Sequence, residues 1–395
     1  MKHLYLVCSS VSVLLGLCSP ALGEPGVGPD AIVFGQVAAF HGPAGSLGRQ
    51  MHEGIVSAFE EVNRSGGVKG RRLTLISEDD GYEPTKSIEA TKQLVSGGKI
   101  FALIGAVGTP TSAAAEPIAA AAGVPFLAPF TGAQFLREPF KPNVVNVRAS
   151  YFQETATIVE RLTKDVGVSR IAILYQDDAF GRDGLAGVEL ALRKRGMKLV
   201  AEGAFERNTV AVKSALLIIQ KAQPEAVILI GPYKPCAEFI KLARMLNMNV
   251  LFAGISFAGA NALALELGKL GAGVVITQVV PFPEDVSLPI VSRYQAALKA
   301  IDPGAKPGFV SLEGYLAGRL AIAALEEEQG EPARQAFLDT IFSHSFDFGG
   351  VKLSFGPASN QGSAEVFLTI LQPDGSFKPA AALGSQSSLS AGLPQ

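Results

Sequence analysis

Phe101-Ala102-Leu103-Ile104-Gly105-Ala106-Val107-Gly108-Thr109-Pro110-Thr111-Ser112 is an apolar run that stops at glycine, crosses a short loop and reopens on proline. The run reads as a buried strand. Thr111 to Ala122 is rich in alanine and reads as the helix after it, with Pro110 at its first position, where a missing N–H costs nothing. Leu229-Ile230-Gly231, a loop and Pro235 repeat the arrangement in the second half of the chain. The echo predicts two similar halves, each with a strand–Gly–loop–helix edge.

Working outward, further apolar runs occur at 31–37, 72–77, 124–128, 170–175, 225–230, 250–253 and 273–279. Most are apolar at consecutive positions, which marks strands covered on both faces of a parallel sheet. The segments between them carry helical spacing: Met51, Ile55, Ala58, Val62; Phe152, Ala156, Val159, Leu162, Val166; Ile290, Tyr294, Ala297, Ile301. Strand and helix in alternation predict an α/β fold of two doubly wound parallel-sheet lobes. Ligands of such sheets bind beyond the carboxyl ends of the strands, so two facing lobes would share a cleft. Near the end, 351–355 and 365–371 read as antiparallel strands around a turn at 358–362. Beyond Ala380 the chain turns small and polar and is expected to fray.

The 395 residues include 34 Lys+Arg and 36 Asp+Glu, a net charge of −2. Only 18% are charged and 48% are apolar, which excludes disorder. Nothing is basic enough to track nucleic-acid phosphates. Lys2 and His3 precede an apolar run, Leu4 to Leu17, too short to cross a bilayer; Ala21-Leu22-Gly23 follows with small residues at 21 and 23. This reads as a secretory signal cleaved after Gly23. Cys8 and Cys18 would leave with it, and Cys236 alone cannot form an intrachain disulfide.

Gly108 and Thr109 are the first candidate site residues. A helix N-terminus there, with Thr109 as its cap, would seat an anion on free N–H groups; the alternative is that Thr109 only caps its own helix. Thr131 and Gly132, after the strand 124–128, form a second corner, or a simple loop. Asp177 or Asp178 could pair with a cation in the cleft, or cap the helix that follows. Phe180 and Tyr233 lie at lobe-edge loops where aromatics wall off apolar ligand groups; core packing is the rival for Phe180.

Catalysis finds little support. Gly254-Ile255-Ser256-Phe257-Ala258 resembles a nucleophile elbow with alanine in place of the second glycine. Asp302 or Asp339 and His344 follow in hydrolase order, but order alone is a cheap signal. No phosphate-binding glycine motif occurs, and His41, His52, His344 and Cys236 have no metal-ligand spacing. No cofactor, metal or catalytic residue is expected.

Glu61-Val62-Asn63-Arg64-Ser65-Gly66-Gly67-Val68-Lys69-Gly70-Arg71-Arg72-Leu73 resembles the leucine/isoleucine/valine-type periplasmic binding proteins of ABC importers. So do His41-Gly42-Pro43 with Gly48, Asp79-Asp80, Ile104-Gly105, Gln176 to Gly181, and Pro357; the resemblance runs from about 31 to 372. It implies a type I periplasmic-binding fold with three hinge crossings, near 146–148, 278–281 and 355–357. An N-terminal lobe would span 24–147 plus 280–355, a C-terminal lobe 148–279 plus 356–380, and a tail 381–395. It further implies a non-enzymatic, periplasmic, monomeric solute receptor that closes on its ligand and hands it to permease subunits. Alternatives are a sensor presenting its closed form to a membrane kinase or chemoreceptor, and, remotely, a serine hydrolase. By the resemblance, Thr109 and Gly108 hold a ligand carboxylate. The family's second hydroxyl falls at Gly132 beside Thr131, and its ammonium-gripping acid at Ser256. Two pocket tyrosines fall at Leu47 and Phe180, and Tyr233 retains one. A neutral Ser256 cannot balance a buried ammonium. Either Asp177 or Asp178 takes over, or the ligand is a carboxylate with an apolar or aromatic body rather than an α-amino acid.

Overall fold

The computed structural model describes residues 23–384. The apolar leader through Leu22, and everything beyond 384, lie outside the described residues.

The first lobe holds five parallel strands: β1 (Ala31–Ala38), β2 (Arg72–Asp79), β3 (Ala102–Ile104), β4 (Phe126–Leu127) and β5 (Val144–Val145), in the order β2-β1-β3-β4-β5. Helices α1 (Gly45–Asn63), α2 (Pro84–Val95) and α3 (Thr109–Ala121) make the crossovers. In the second lobe β6 (Ile171–Gln176), β7 (Ala201–Phe205), β8 (Ala226–Ile230), β9 (Leu251–Gly254) and β10 (Val275–Gln278) pair in the order β7-β6-β8-β9-β10, all parallel. The two orders are the same, and the Leu103–Gly105 and Leu229–Gly231 echo falls on equivalent strands. Helices α4 (Tyr151–Lys164), α5 (Ala179–Arg193), α6 (Lys213–Lys221), α7 (Tyr233–Met245) and α8 (Ala260–Leu267) flank this sheet. The chain then returns: α9 (Pro289–Ile301) and α10 (Phe309–Glu327) pack on α1, and α11 (Arg334–Ser343) follows.

Buried strands are the consecutive apolar ones: β3 and β8 are covered at every residue. β2, at the sheet edge, alternates. α1 buries Met51, Ile55, Ala58 and Val62 as its spacing predicts. In α4 the buried face is set differently. Tyr151, Glu154, Thr155, Ile158, Val159 and Leu162 are buried, whereas Phe152 and Ala156 are half-buried. At the start of that face Glu154 joins a buried ion network, while Ile158, Val159 and Leu162 pack into the apolar core.

The last strands correct the expected hairpin. β11 (Ser345–Asp347) pairs with β12 (Lys352–Ser354) as a separate ribbon. β13 (Phe367–Leu371) instead adds antiparallel to β10, and β14 (Phe377–Ala380) pairs with β13. The intervening chain crosses beside the strand leaving β5. The Asn146 N–H donates to the Asn360 carbonyl, and the Gly362 N–H to the Asn146 carbonyl, both at 2.7 Å. The chain beyond Ala380 does not fray at once: Leu383 is buried and its N–H donates to Asp165 Oδ2 at 2.9 Å. No helix of the described residues is long and apolar enough to cross a membrane.

Candidate functional site

The carboxyl ends of β3, β4, β6, β8 and β9 bring the loops of both lobes together. Gly108 precedes α3 with φ +105°, a conformation open to glycine. A Cβ there would lie 2.2 Å from the Tyr82 ring. Gly108, not Thr109, is the cap residue; Thr109 is already helical and makes no capping bond. Its hydroxyl is free of helix duty and pairs instead with the Thr131 hydroxyl at 2.7 Å. Both threonines are fully buried. Gly132 lies against Tyr151, the first residue of α4 in the other lobe: its carbonyl accepts the Tyr151 N–H at 2.8 Å, and a Cβ would meet the ring at 2.4 Å. The spot at 109 is therefore enclosed between the lobes, not on an outer face.

An aromatic cluster adjoins it. Phe257 is its centre, with Phe180 at 4.5 Å, Phe130 at 5.4 Å, Tyr82 at 6.1 Å and Tyr151 at 6.4 Å between ring centroids. Phe180 thus belongs to a ring assembly drawn from both lobes. Leu47 is buried where a Cβ on Gly259 would touch it, again across the lobes. Tyr233 opens α7 and accepts the Ser46 N–H on its hydroxyl at 3.3 Å.

The acids are placed differently from the sequence expectation. Asp177 points outward and pairs with Arg182 at 2.8 Å on the surface, because the turn after β6 spends Asp178, not Asp177, inward. Asp178 caps α5 through the Phe180 and Gly181 N–H groups, and accepts Gln176 Nε2 at 2.6 Å and Arg207 at 3.4 Å. Burial pushes its carboxyl above the ordinary value against these bonds.

Ser256 lies in a network that sequence reasoning missed. Arg148, wholly buried, donates to the Ser256 hydroxyl and to Glu154 at 3.0 Å, and faces Glu313 of α10 at 3.5 Å. Glu154 also accepts the Ser256 N–H at 2.8 Å, the Ser256 hydroxyl at 3.0 Å and the Thr277 hydroxyl at 2.6 Å. Burial lowers the Arg148 pKa, but Glu313 and Glu154 outweigh it and hold the guanidinium above its usual value. Glu313, buried beside them, is pushed up to about 7, with Arg148 opposing the rise. Arg137 donates to the Arg148 carbonyl at 3.1 Å, and burial with Arg148 close by lowers it to about 9. The signal was a lone charge in an apolar stretch: Arg148 after Val144-Val145-Asn146-Val147, and Glu313 inside the apolar α10. The hydrolase order does not assemble. His344 bonds Ser343 and the Thr340 carbonyl, and Asp339 accepts from Gln335.

Around the cluster, Arg148 Nε and the Gln176 amide oxygen are buried without a hydrogen bond, and the Tyr151 hydroxyl, also without one of good geometry, lies close to the Thr109 and Thr131 hydroxyls. Burial pushes the Tyr151 hydroxyl up to about 12, against Arg148, Thr131 and Thr109.

The periplasmic binding protein family model matches residues 31–376. The chain belongs to this family. Among solved structures, the periplasmic binding protein is similar to a possible leucine/isoleucine/valine-binding protein from Rhodopirellula baltica SH 1. They are 37% identical, the match covers 93% of this chain and 99% of that one, and the TM-score is 0.85. A leucine binding protein from Thermotoga maritima MSB8 shares the fold at 20% identity, covering 89% of this chain and 98% of that one, with TM-score 0.80. A Leu/Ile/Val-binding protein homolog of Brucella suis is 26% identical over 235 residues, 58% of this chain and 56% of the relative. The chain thus spans little more than half the length of the first curated relatives it matches. These relatives are named as binding proteins, and the two parallel-sheet lobes are those of the type I periplasmic-binding fold.

Proposed function

We propose that this periplasmic binding protein is the exported solute receptor of an ABC importer. Its ligand would be a hydrophobic amino acid or a related apolar or aromatic carboxylate, held between the lobes. The buried Thr109–Thr131 corner, placed beside the helix start at Gly108 and against the Phe257 aromatic cluster contributed by both lobes, carries this reading. A carboxylate would take amides at the start of α3 and the two threonine hydroxyls, each charge-assisted bond contributing about 1.5–3 kcal/mol. Phe180, Phe257 and Tyr151 would cover its apolar body. Gly108, Thr109, Thr131 and Gly132 act from one lobe; Phe180, Tyr233 and Ser256 act from the other. Leu47 meets the second lobe at Gly259.

The lobes sample closure, and a ligand touching both shifts the balance to the closed form. Moving it from 1:99 to 99:1 takes about 5.5 kcal/mol of differential binding, within reach of two or three such bonds plus apolar burial. Native mass spectrometry of protein purified without refolding tests the reading. A bound small acid that Thr109→Ala releases supports it. A bound sugar or metal, or release of acid unaffected by Thr109→Ala, overturns it.

A further inference from the structure

We infer that Glu83, Arg207 and Asn208 form an ionic clasp that shuts the lobes at the edge far from the hinge and makes closure and ligand release salt-dependent. The clasp presupposes the proposed hinged receptor and deepens it by naming what holds the lobes together. Strand order places it. The chain leaves the first lobe after β5 and the second after β10. β2 lies four places from β5 in its sheet, and β7 four places from β10. At about 4.8 Å per strand, the β2 and β7 edges stand roughly 19 Å from those crossings. Glu83 lies in the loop after β2, and Arg207 and Asn208 lie in the loop after β7. A contact there acts at the far end of the lever.

Arg207 donates to Glu83 Oε2 at 2.8 Å, and Asn208 Nδ2 donates to Glu83 Oε1 at 2.6 Å and to the Gly81 carbonyl at 3.0 Å. Glu83 precedes α2 but makes no side-chain capping bond, so its carboxylate is free to reach the other lobe. Arg207 is braced within its own lobe by Asp178 at 3.4 Å. Asn208 adopts φ +59°, a left-handed turn that asparagine tolerates. Burial raises the Glu83 pKa, but Asn208, Arg207 and Lys86 outweigh it, so the carboxylate is charged at neutral pH. Apart from Arg148 with Glu313, this is the only ion pair between the lobes among the described residues. The Arg148 pair is fully buried, whereas Arg207 and Glu83 are 24% and 35% exposed and within reach of screening salt. Every group in the clasp belongs to the protein, so it forms without ligand.

Double electron–electron resonance on the unliganded chain tests this, with spin labels on Glu89→Cys of α2 and Ser214→Cys of α6. Both positions are exposed, and Cys236 is buried away from the label. Raising NaCl from about 20 mM to about 1 M should lower the closed-to-open ratio about 3- to 10-fold. Glu83→Gln should lower it about as much at low salt and leave little further response to salt. Arg207→Gln added to that variant should change little more, because the contact is already gone. Glu189→Gln, which breaks the surface pair with Arg193 inside α5, should leave the distribution unchanged. A wild-type distribution open throughout at low salt, or one that neither salt nor Glu83→Gln shifts, overturns the clasp. So do fully additive effects of the two clasp substitutions. Each of these results leaves the receptor reading standing, since that reading is tested by what the chain carries and not by how its lobes are spaced.

Discussion

The corner after β3 and the corner after β8 are built alike and used differently. Each follows the third strand of a five-strand parallel order, breaks at a glycine and opens a helix near a proline. At the first, Gly108 adopts positive φ beneath Tyr82, which leaves the Thr109 hydroxyl free to meet Thr131. At the second, Gly231 has no such backbone. The helix begins with Tyr233, whose hydroxyl reaches across to Ser46 of the other lobe. One corner builds a polar seat and the other a strut between lobes. The same local fold does both jobs because side chains at the helix start, not the strand–helix corner, meet the opposite lobe.

Breaking the glycines separates the two corners most strongly. Gly108→Ala should cost about 2–4 kcal/mol in denaturant unfolding, through backbone strain and a clash with Tyr82. Gly231→Ala meets Phe205 at 2.9 Å and Cys236 at 3.0 Å without that strain, and should cost about 1–2 kcal/mol. Equal costs would show that the corners do not differ in backbone.

Next in size is Thr109→Ala, expected to weaken ligand binding about 10- to 100-fold by calorimetry. The ligand-free melting temperature should hardly move, since Thr131 keeps its bond from the Ala133 N–H at 3.2 Å. An equal loss of unliganded stability would return Thr109 to a packing role. Tyr233→Phe removes only the 3.3 Å bond to Ser46, so a two- to fivefold faster ligand release is expected in stopped flow, with ligand selectivity unchanged.

The smallest effect is on pH dependence. Glu313 sits at about 7 in the folded chain, above its ordinary 4.5. Between those values the unfolded chain releases this proton and the folded chain keeps it. Stability from this group is therefore lost as pH rises from about 4.5 and levels off above about 7. Asp80, at about 7, and Asp183, at about 6, act in the same direction. Melting temperature should fall by a few degrees from about pH 5 to pH 8, and Glu313→Gln should flatten part of that slope. An unchanged slope in that variant would remove Glu313 from the account.

Two similar lobes of buried parallel strands were legible in the sequence, because consecutive apolar residues bury a strand on both faces wherever it lies; the strand order was not. The buried face of α1 was legible from its apolar residues spaced three and four apart. Residues 351–355 and 365–371 misled: both look like strands, yet nothing local says that β13 will add to β10, more than 85 residues earlier in the chain. Asp177 and Asp178 were indistinguishable as letters. The turn after β6 alone decides which carboxylate faces inward.

The sequence by itself determined two α/β halves and loops of small hydroxyl residues at strand ends, since each is written in contiguous residues. Tertiary structure decided the rest of the site. Arg148, Glu154, Ser256, Thr277 and Glu313 are scattered from one end of the second lobe to the return helix α10, and burial alone makes them one network. Isolated in water each would be an ordinary polar residue. Enclosed between two lobes, their charges are unscreened, and their partners must be supplied by the fold or by the ligand.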